Sequence, residues 1–261
     1  MKVAFVGAGN VAWHLAQAFE NAHVSVTEIY SRNISHAEAL CKKLSGAVVK
    51  TDYNFSDSKA DILVLAVSDD ALPHISSQIH IPENTIVAHT SGSISMEIFE
   101  NTFKNHGVFY PLQTFSKEKA LDITKVPFCI EGKNEFVTNT LKTLASSIGH
   151  SVYEVNSEQR KTLHVGAVFA CNFVNHLLAI SKDILTNKSL DFNILKPLIK
   201  ETIEKALATE HPKDVQTGPA IRKDLKTIEK HLNYLDDDSK KQSIYQLLTE
   251  SIMNFYVDKL G

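Results

Sequence analysis

The sequence predicts an α/β protein in which a doubly wound, mostly parallel sheet is followed by a domain made only of helices. Three observations lead to this fold class. A β-rich run passes through a glycine turn into a helix at the amino terminus, strand and helix patterns alternate as far as residue 155, and no strand pattern follows. We therefore expect two domains, residues 1–155 and residues 156–261.

The first element is a strand, glycine turn and helix in direct succession. The apolar run Val3–Val6 stops at Gly7-Ala8-Gly9, and the pattern matches G-x-G-x-x-G/A with Ala12 in the third position. Gly7 permits the tight turn, Gly9 lets the backbone approach a pyrophosphate, and a small residue at 12 lets the helix pack closely. The strand before and the helix after favour a Rossmann-type dinucleotide site over a plain turn. The predicted nucleotide contacts are Gly7, Gly9, Asn10, Val11 and Ala12.

The second strand ends where the adenosine ribose would lie. An NAD site usually has an acidic residue there, but this strand runs out as Tyr30-Ser31-Arg32. A hydroxyl and a guanidinium suit a 2′-phosphate better, so the sequence favours NADP, as NADPH, with Ser31 and Arg32 as its ligands. In the alternative, Arg32 is a solvated loop cation and Glu28 is the ribose ligand.

The rest of the first domain continues the alternation. Ser35 is placed to cap a helix to Leu44, with Glu38 completing a capping box. The run Asp61–Val67 is continuously apolar, which is typical of a strand buried on both faces of a parallel sheet. Further strands are predicted at 47–50, 85–89, 107–112, 126–131 and 151–155, and further helices from about 70 to 79 and from 134 to 148.

Three polar clusters follow predicted strands at their carboxyl ends. They are Gly7–Asn10, Ser68–Asp70 and His89–Ser93. Ligands of such sheets bind at this edge, so we expect one shared cleft, although each cluster alone is also ordinary turn chemistry. The residues predicted to flank the nicotinamide side are Ser68, His89, Thr90 and Ser91.

Long apolar stripes mark the predicted helical domain. Helices are predicted at 158–187, 192–209 and 219–232, with Pro219 in a first turn, and a last helix ends near Tyr256. The helix at 158–187 is apolar around much of its surface, as in a helix buried against neighbours. About a hundred residues bury little apolar surface alone, so we expect a homodimer through these helices.

A polar line runs through the long helix, from His164 to Asn172, Asn175 and His176. On a helix of 3.6 residues per turn these positions lie on one broad side. If the helix closes the nucleotide cleft, His164 could protonate a carbonyl or imine as a hydride arrives, although a satisfied interdomain histidine fits as well.

The segment Thr217-Gly218-Pro219, followed by Arg222 and Asp224, is a second candidate. Thr217 would serve as a hydroxyl donor and Arg222 as a clamp for an anionic substrate group. In the alternative, Gly-Pro is only a helix start and the charges are ordinary surface. The predicted catalytic and substrate residues are His164, Asn172 and Thr217, with Tyr110 and Gln113 as possible lining residues.

Composition excludes several classes of protein. A net charge of −3 gives no reason to expect nucleic acid or an anionic membrane as a partner. The start lacks a secretory pattern, and the longest apolar run, Leu163–Ile180, is interrupted by polar residues, so we expect a cytoplasmic protein with no membrane partner. Cys41, Cys129 and Cys171 argue against a disulfide framework and are expected reduced and buried, and the histidines show no metal-ligand spacing, so no metal is predicted.

With these motifs in view, the chain resembles the family of Rossmann-like proteins with a DUF2520 domain. That family lies within a wider group of folds similar to pyrroline-5-carboxylate reductase, F420-dependent NADP oxidoreductase and 6-phosphogluconate dehydrogenase. The resemblance covers nearly the whole chain. It rests on VGAGNVAWHLA (Val6–Ala16), YSR (Tyr30–Arg32), LAVSDDAL (Leu65–Leu72), HTSGS (His89–Ser93), YPLQTFS (Tyr110–Ser116), HVGAVFACNF (His164–Phe173) and TGPAIRKD (Thr217–Asp224).

The resemblance implies an NADP-binding reductase or dehydrogenase fold that is dimeric through its helices, and it implies no substrate. Two departures limit it. Val168 stands where β-hydroxyacid dehydrogenases have a lysine four residues before the helix asparagine, and Tyr110-Pro111 stands where relatives often have His-Pro. The favoured function is an NADP-dependent oxidoreductase acting on a small polar carbonyl or imine. A non-catalytic NADP-binding sensor or scaffold is the main alternative, and an S-adenosylmethionine-dependent methyltransferase is a third.

Overall fold

The structure is a computed structural model that describes residues 1–256. Eight strands form one sheet in the order β3-β2-β1-β4-β5-β6-β7-β8, and each neighbouring pair is parallel except β6 and β7. This confirms the predicted fold class. The strands are β1 Lys2–Val6, β2 Ser25–Tyr30, β3 Val48–Lys50, β4 Ile62–Leu65, β5 Ile86–His89, β6 Asn105–Pro111, β7 Pro127–Gly132 and β8 Ser151–Glu154.

Apolar side chains cover both faces of this sheet. Side chains alternate along a strand, so Phe5 of β1 enters one core layer and Val6 enters the other. Helices α1 and α4 cover the first layer, and α3 covers the second. The four helices among these strands are α1 Asn10–Asn21, α2 Ile34–Cys41, α3 Leu72–Ser76 and α4 Glu135–Ser146.

The strand order fixes where a ligand would lie. Strand β1 has β2 on one side and β4 on the other. The chain adds β2 and β3 on the first side and then crosses back to add β4 on the other, so the strand order reverses at β1. The crevice at this reversal, beyond the carboxyl ends of the strands, is the usual ligand site of doubly wound sheets. Gly7 follows β1 at that edge, and Ser31 follows β2.

Two local predictions were wrong in detail. Helix α2 is capped by Asn33, whose side chain accepts from the amide of Ser35 at 3.1 Å, and it ends at Cys41 rather than Leu44. Strand β4 is followed by a 3₁₀ turn at Asp69–Ala71, and α3 ends at Ser76 rather than near residue 79. Both helices are shorter than the apolar patterns that predicted them.

The chain forms two compact units, Met1–Ala170 and a second beginning at Cys171. The first unit contains the whole sheet and also helix α5, Ser157–Ala167. The predicted boundary after residue 155 follows the last strand, whereas the compact units divide inside a π-helical segment, Val168–Phe173. Because a π-helix bonds i to i+5, the 3.6-residue spacing used for the polar line of the long helix does not hold across this segment.

The second unit is helical in its described part. Pro219 does not begin a helix, because Gly218 adopts a positive φ of +113° and the next helix starts at Leu225, capped by Asp224. This corrects the predicted start at Pro219. The helices of this unit are α6 Val174–Thr186, α7 Lys196–Ala208, α8 Leu225–Tyr234 and α9 Ser239–Phe255.

Apolar side chains of the long helical stretch are exposed, contrary to the prediction that neighbours bury it. Phe169 is 65% exposed and Val165 is 51% exposed. Within Ser157–Thr186 an 18-residue window has a mean hydropathy of 1.6, so the stretch is long and apolar enough, by length and composition only, to cross a membrane. The polar residues that interrupt the run Leu163–Ile180 therefore do not take it below the length and hydropathy of a membrane span, contrary to the expectation drawn from them.

The three cysteines are all free thiols. Cys129 is buried as predicted and Cys41 is partly buried, but Cys171 is exposed. The expectation that all three are buried was therefore wrong for Cys171, which lies in the exposed π-helical segment.

Candidate functional site

The glycine turn after β1 has the geometry that its sequence predicts. Gly7 has φ +108°, and a Cβ there would collide with the carbonyl oxygen of Ala66 on the neighbouring segment. Its amide donates to the carbonyl oxygen of Tyr30 at 2.8 Å. Only glycine satisfies both the positive φ and the close approach, so Gly7 sets the path of the turn.

Helix α1 begins immediately after this turn with an open amino terminus. Gly9 is the N-cap residue, no side chain caps the helix, and a Cβ at Gly9 would meet no described atom within 4 Å. The first-turn amides of a helix carry partial positive charge and favour an anion. Asn10 instead donates from its side chain to the carbonyl oxygen of Phe115 at 3.0 Å.

A pocket of about 630 Å³ opens over this turn. Most of the predicted cofactor residues line it, and they follow the carboxyl ends of β2, β1, β4 and β5, which are neighbours in the sheet. No Asp or Glu is among its described lining residues. The predicted residues that line it are Gly7, Gly9, Asn10, Val11, Ser31, Arg32, Ser68 and Thr90.

Arg32 gives the pocket its one guanidinium, and the side chain is exposed to solvent. Glu28, the alternative ribose ligand, does not line the pocket, and its carboxylate accepts a hydrogen bond from the hydroxyl of Ser58. The arrangement therefore favours Ser31 and Arg32 over Glu28 at this end of the pocket, as the sequence predicts for a 2′-phosphate.

Two tyrosines that border the same end were not predicted together. The rings of Tyr30 and Tyr53 lie with their centroids 4.5 Å apart, and both line the pocket. Burial and the hydrogen bond to Tyr30 raise the pKa of Tyr53 to about 12. Tyr53 follows β3 in a polar stretch without periodicity, so only the pairing of β3 with β2 reveals its place. His74, of α3, is a further lining residue that the sequence analysis did not select.

Three of the predicted cofactor residues are buried beside the pocket and do not line it. Ala12 and His89 are fully buried, and Ser91 is 7% exposed. His89 Nδ1 accepts from the amide of Ser91 at 3.2 Å, and Ser91 Oγ accepts from the amides of Ser93 and Ile94 at 3.1 and 3.0 Å. Burial, with the nearby Arg160 charge, lowers the pKa of His89 to about 3. The side chains of His89 and Ser91 shape the loop after β5, and Thr90 is the loop residue that lines the pocket.

His164 lies next to this loop, inside the first unit. Its Nδ1 is 3.1 Å from the hydroxyl of Tyr110, and the backbone of Gly92 packs against both rings. Asp69 accepts a hydrogen bond from the hydroxyl of Ser93, the residue after Gly92. Burial raises the pKa of Tyr110 to about 12, so this hydroxyl keeps its proton at neutral pH.

The other two predicted catalytic residues belong to the second unit. Asn172 is exposed in the π-helical segment, and Thr217 is exposed in the turn before Gly218. The first unit, taken by itself, therefore supplies the nucleotide pocket and the Tyr110–His164 pair, and the roles of Asn172 and Thr217 stay predictions.

Comparison with known proteins places the chain in a family. Residues 1–113 match the model of a Rossmann-like domain, and residues 126–252 match the domain of unknown function DUF2520. The "putative NADP oxidoreductase" of Bacteroides fragilis is 38% identical, over 97% of this chain and 98% of that one, with a TM-score of 0.87. The chain belongs to the Rossmann-like DUF2520 family. No curated protein matches it.

More distant solved structures share the fold of this DUF2520 protein. The imine reductase of Myxococcus stipitatus, solved with NADP⁺, is 13% identical with a TM-score of 0.68, over 100% of this chain and 95% of that one. The reductive aminase of Aspergillus terreus, solved with NADPH, is 10% identical with a TM-score of 0.69, over 99% of this chain and 94% of that one. At these identities the likeness concerns the fold alone.

Proposed function

We propose that the chain is an NADP-dependent oxidoreductase that transfers a hydride between NADPH and a small polar carbonyl or imine compound. The pocket lining carries the proposal, because it combines a glycine turn, an uncapped helix terminus and an arginine, with no carboxylate among its described residues. The name of the Bacteroides fragilis protein supports an NADP oxidoreductase and says nothing of the substrate.

The pocket residues fit the parts of NADP. The open space over Gly9 and the free amino terminus of α1 suit the diphosphate, because a Cβ at residue 9 would fill that space. Ser31 and Arg32 suit the 2′-phosphate, which a guanidinium binds through paired hydrogen bonds. Thr90 borders the other side, two residues before the glycine that touches His164.

When bound, NADPH supplies the hydride, and the chain must supply the proton. We assign that proton to His164, whose imidazole lies against the loop that follows β5. Asp69 places a carboxylate on the same loop through Ser93, and a negative charge there stabilises a protonated imine more than a neutral ketone. Imines are therefore the preferred substrate class. Asn172 and Thr217 are proposed as further substrate contacts from their sequence motifs.

Titration with NADPH and NADH tests the cofactor assignment. Replacing Arg32 by alanine should weaken NADPH binding by about 1 to 3 kcal/mol, as for loss of a charged hydrogen bond, and should leave NADH binding unchanged. Lys43→Ala is the matched control, because it removes an exposed positive charge outside the pocket. If the unmodified protein binds neither nucleotide, the oxidoreductase proposal is wrong.

A non-catalytic NADP sensor is the second candidate, and one residue favours it. Val168 stands where β-hydroxyacid dehydrogenases have their lysine. A screen of imines and carbonyl compounds with the unmodified protein and a His164→Ala variant separates the two candidates. An enzyme loses turnover in the variant while keeping its affinity for NADPH, whereas a sensor shows no turnover in either form.

We also propose that a second copy of the chain covers the exposed apolar side chains of the helical unit. Ile203 is 42% exposed and Leu207 is 81% exposed on α7, and their spacing of four residues places both on one face of the helix, which a partner surface can cover. Covering them is consistent with the predicted cytoplasmic location. Light scattering should give twice the chain mass, and Ile203→Glu with Leu207→Glu should lower it, whereas Lys205→Glu, on the opposite face of the same helix, should not. A single-chain mass for the unmodified protein would contradict the dimer.

A further inference from the structure

One hydrogen bond joins strand β6 to helix α5 at the candidate site. The hydroxyl of Tyr110 and Nδ1 of His164 are 3.1 Å apart, and the two rings meet edge to face with centroids 6.1 Å apart. Tyr110 is 9% exposed and is held by its strand, which pairs with β5 and β7. The tyrosine is therefore the fixed partner, and the partly exposed histidine takes its orientation from it.

Gly92 closes the third side of this pair. A Cβ at position 92 would lie 2.6 Å from His164 Nδ1 and 2.8 Å from Tyr110 Cζ, closer than real Cβ contacts allow. Gly92 does not have a positive φ, so the close approach and not the backbone conformation requires glycine here. Any side chain would push the imidazole away from the hydroxyl.

A buried ion pair holds the helix that carries His164. Arg160 lies one helical turn before His164, is fully buried, and binds the carboxylate of Glu131 on β7. Ser157 donates to the same carboxylate from its amide and its hydroxyl, at 2.9 and 2.8 Å. Residues at i and i+4 share one face of a helix, so anchoring Arg160 also directs His164 toward the sheet.

We propose that Tyr110 is the positioning residue for proton transfer by His164, and that it holds Nδ1 so that Nε2 exchanges the proton with the substrate. This rests on the proposed function. The protonated imidazole gives its Nε2 proton to the carbonyl oxygen or imine nitrogen and becomes neutral. Loss of the Nε2 proton leaves Nδ1–H in place, and the tyrosine oxygen accepts from Nδ1–H in both the charged and the neutral ring, so it stays bonded to the ring before and after the transfer.

The charged surroundings favour a hydroxyl that keeps its own proton. Besides His164, the titratable groups that act on Tyr110 are Asp69, Cys129 and Arg160, from the loop after β4, from β7 and from α5. Burial and Asp69 disfavour a tyrosinate, whereas Arg160 opposes them, and its charge is already neutralised by Glu131. Tyr110 therefore serves as an orienting hydroxyl and not as the acid.

The chain offers a matched control for this pair. His231 Nδ1 lies 2.8 Å from the hydroxyl of Tyr245, with the rings also edge to face, in the second unit. In nitrogen-15 NMR of the histidine rings, Tyr110→Phe should move the Nδ1 resonance of His164 toward that of an unbonded ring nitrogen and leave His231 unchanged. Tyr245→Phe should do the reverse. His164→Gln and His231→Gln assign the two signals.

Kinetics complete the test. Tyr110→Phe should lower kcat by tenfold or more, within the range that acid catalysis contributes, and leave the affinity for NADPH unchanged, whereas Tyr245→Phe should leave kcat unchanged. Gly92→Ala should disturb the same resonance and also lower kcat, because its Cβ would push the imidazole of His164 away from the Tyr110 hydroxyl. An unchanged His164 resonance or an unchanged kcat in Tyr110→Phe overturns the positioning role. Absence of turnover in the unmodified protein, with the resonance shift intact, overturns the proposed function instead.

Discussion

The ammonium group of Lys117 donates a hydrogen bond to the carbonyl oxygen of Ala8 at 2.9 Å, inside the glycine turn. The same ammonium lies 5.1 Å from the ring centroid of Trp13 on α1. The loop after β6 is thus tied to the turn by a residue 109 positions further along the chain. This contact places a positive charge beside the proposed diphosphate site.

Replacing Lys117 by methionine should weaken NADPH and NADH alike, by about 1 kcal/mol or fivefold each, because both cofactors carry the diphosphate. This separates it from Arg32→Ala, which should affect NADPH alone. Lys119→Met is the control, since Lys119 is exposed in the same loop. Titration of the three proteins decides the matter, and a selective loss of NADPH in Lys117→Met would contradict the assignment.

The two glycines of the turn should respond differently to alanine. Gly7→Ala places a Cβ against the carbonyl oxygen of Ala66 at a positive φ, so we expect it to lower the free energy of unfolding by at least about 2 kcal/mol. Gly9→Ala adds a methyl group to open space and should leave stability within about 0.5 kcal/mol. It should nevertheless abolish tight NADPH binding. Urea unfolding and nucleotide titration measure the two effects, and equal losses of stability would count against this division of roles.

Stability should fall with acid because of His89. Its folded pKa of about 3 lies below the ordinary histidine value near 6.5, so the unfolded chain takes up a proton in this window and the folded chain does not. The free energy of unfolding should therefore decrease as pH falls from about 6.5 toward 3, by up to about 1.4 kcal/mol per pH unit from this group. His89→Gln should remove that part of the slope, whereas His150→Gln, at an exposed position, should not. An unchanged slope in His89→Gln would show that His89 titrates normally.

The buried ion pair between Arg160 of α5 and Glu131 should contribute more to the free energy of unfolding than ion pairs at the surface. Arg160→Met leaves the Glu131 carboxylate without its buried partner and should cost about 3 to 5 kcal/mol of stability. Lys142→Met breaks the exposed pair with Glu154 and should cost less than about 1 kcal/mol. Chemical unfolding of both variants gives the comparison, and similar small losses would mean that the Arg160 pair adds little.

The sequence was sufficient where the governing contacts are local. The turn at Gly7, the start of α1 and the place of Arg32 follow from residues within one strand–turn–helix unit, and the structure brings Gly7 and Arg32 to one pocket. It was insufficient where two local signals compete. Asn33 and Ser35 are both capable caps for α2, and Asn33 is the one that meets a free amide.

Contacts between distant segments could not be read from the sequence. Tyr110 and His164 are 54 positions apart, and neither a strand tyrosine nor a helix histidine signals the other. Tyr53 reaches the pocket only because β3 pairs with β2. Pro219 was misread as a helix start, because Gly-Pro is equally compatible with the turn that Gly218 makes at its positive φ.

Strands β6 and β7 pair along five residue pairs, although the two family models lie on opposite sides of this pairing, one ending at residue 113 and the other beginning at 126. Cutting the chain between residues 113 and 126 would leave β6 and β7 as exposed edge strands. Their unpaired amides and carbonyls would pair with other chains and cause aggregation. Domain exchange or separate expression therefore has to keep the first 154 residues together, because the two regions that match different family models contribute strands to one sheet.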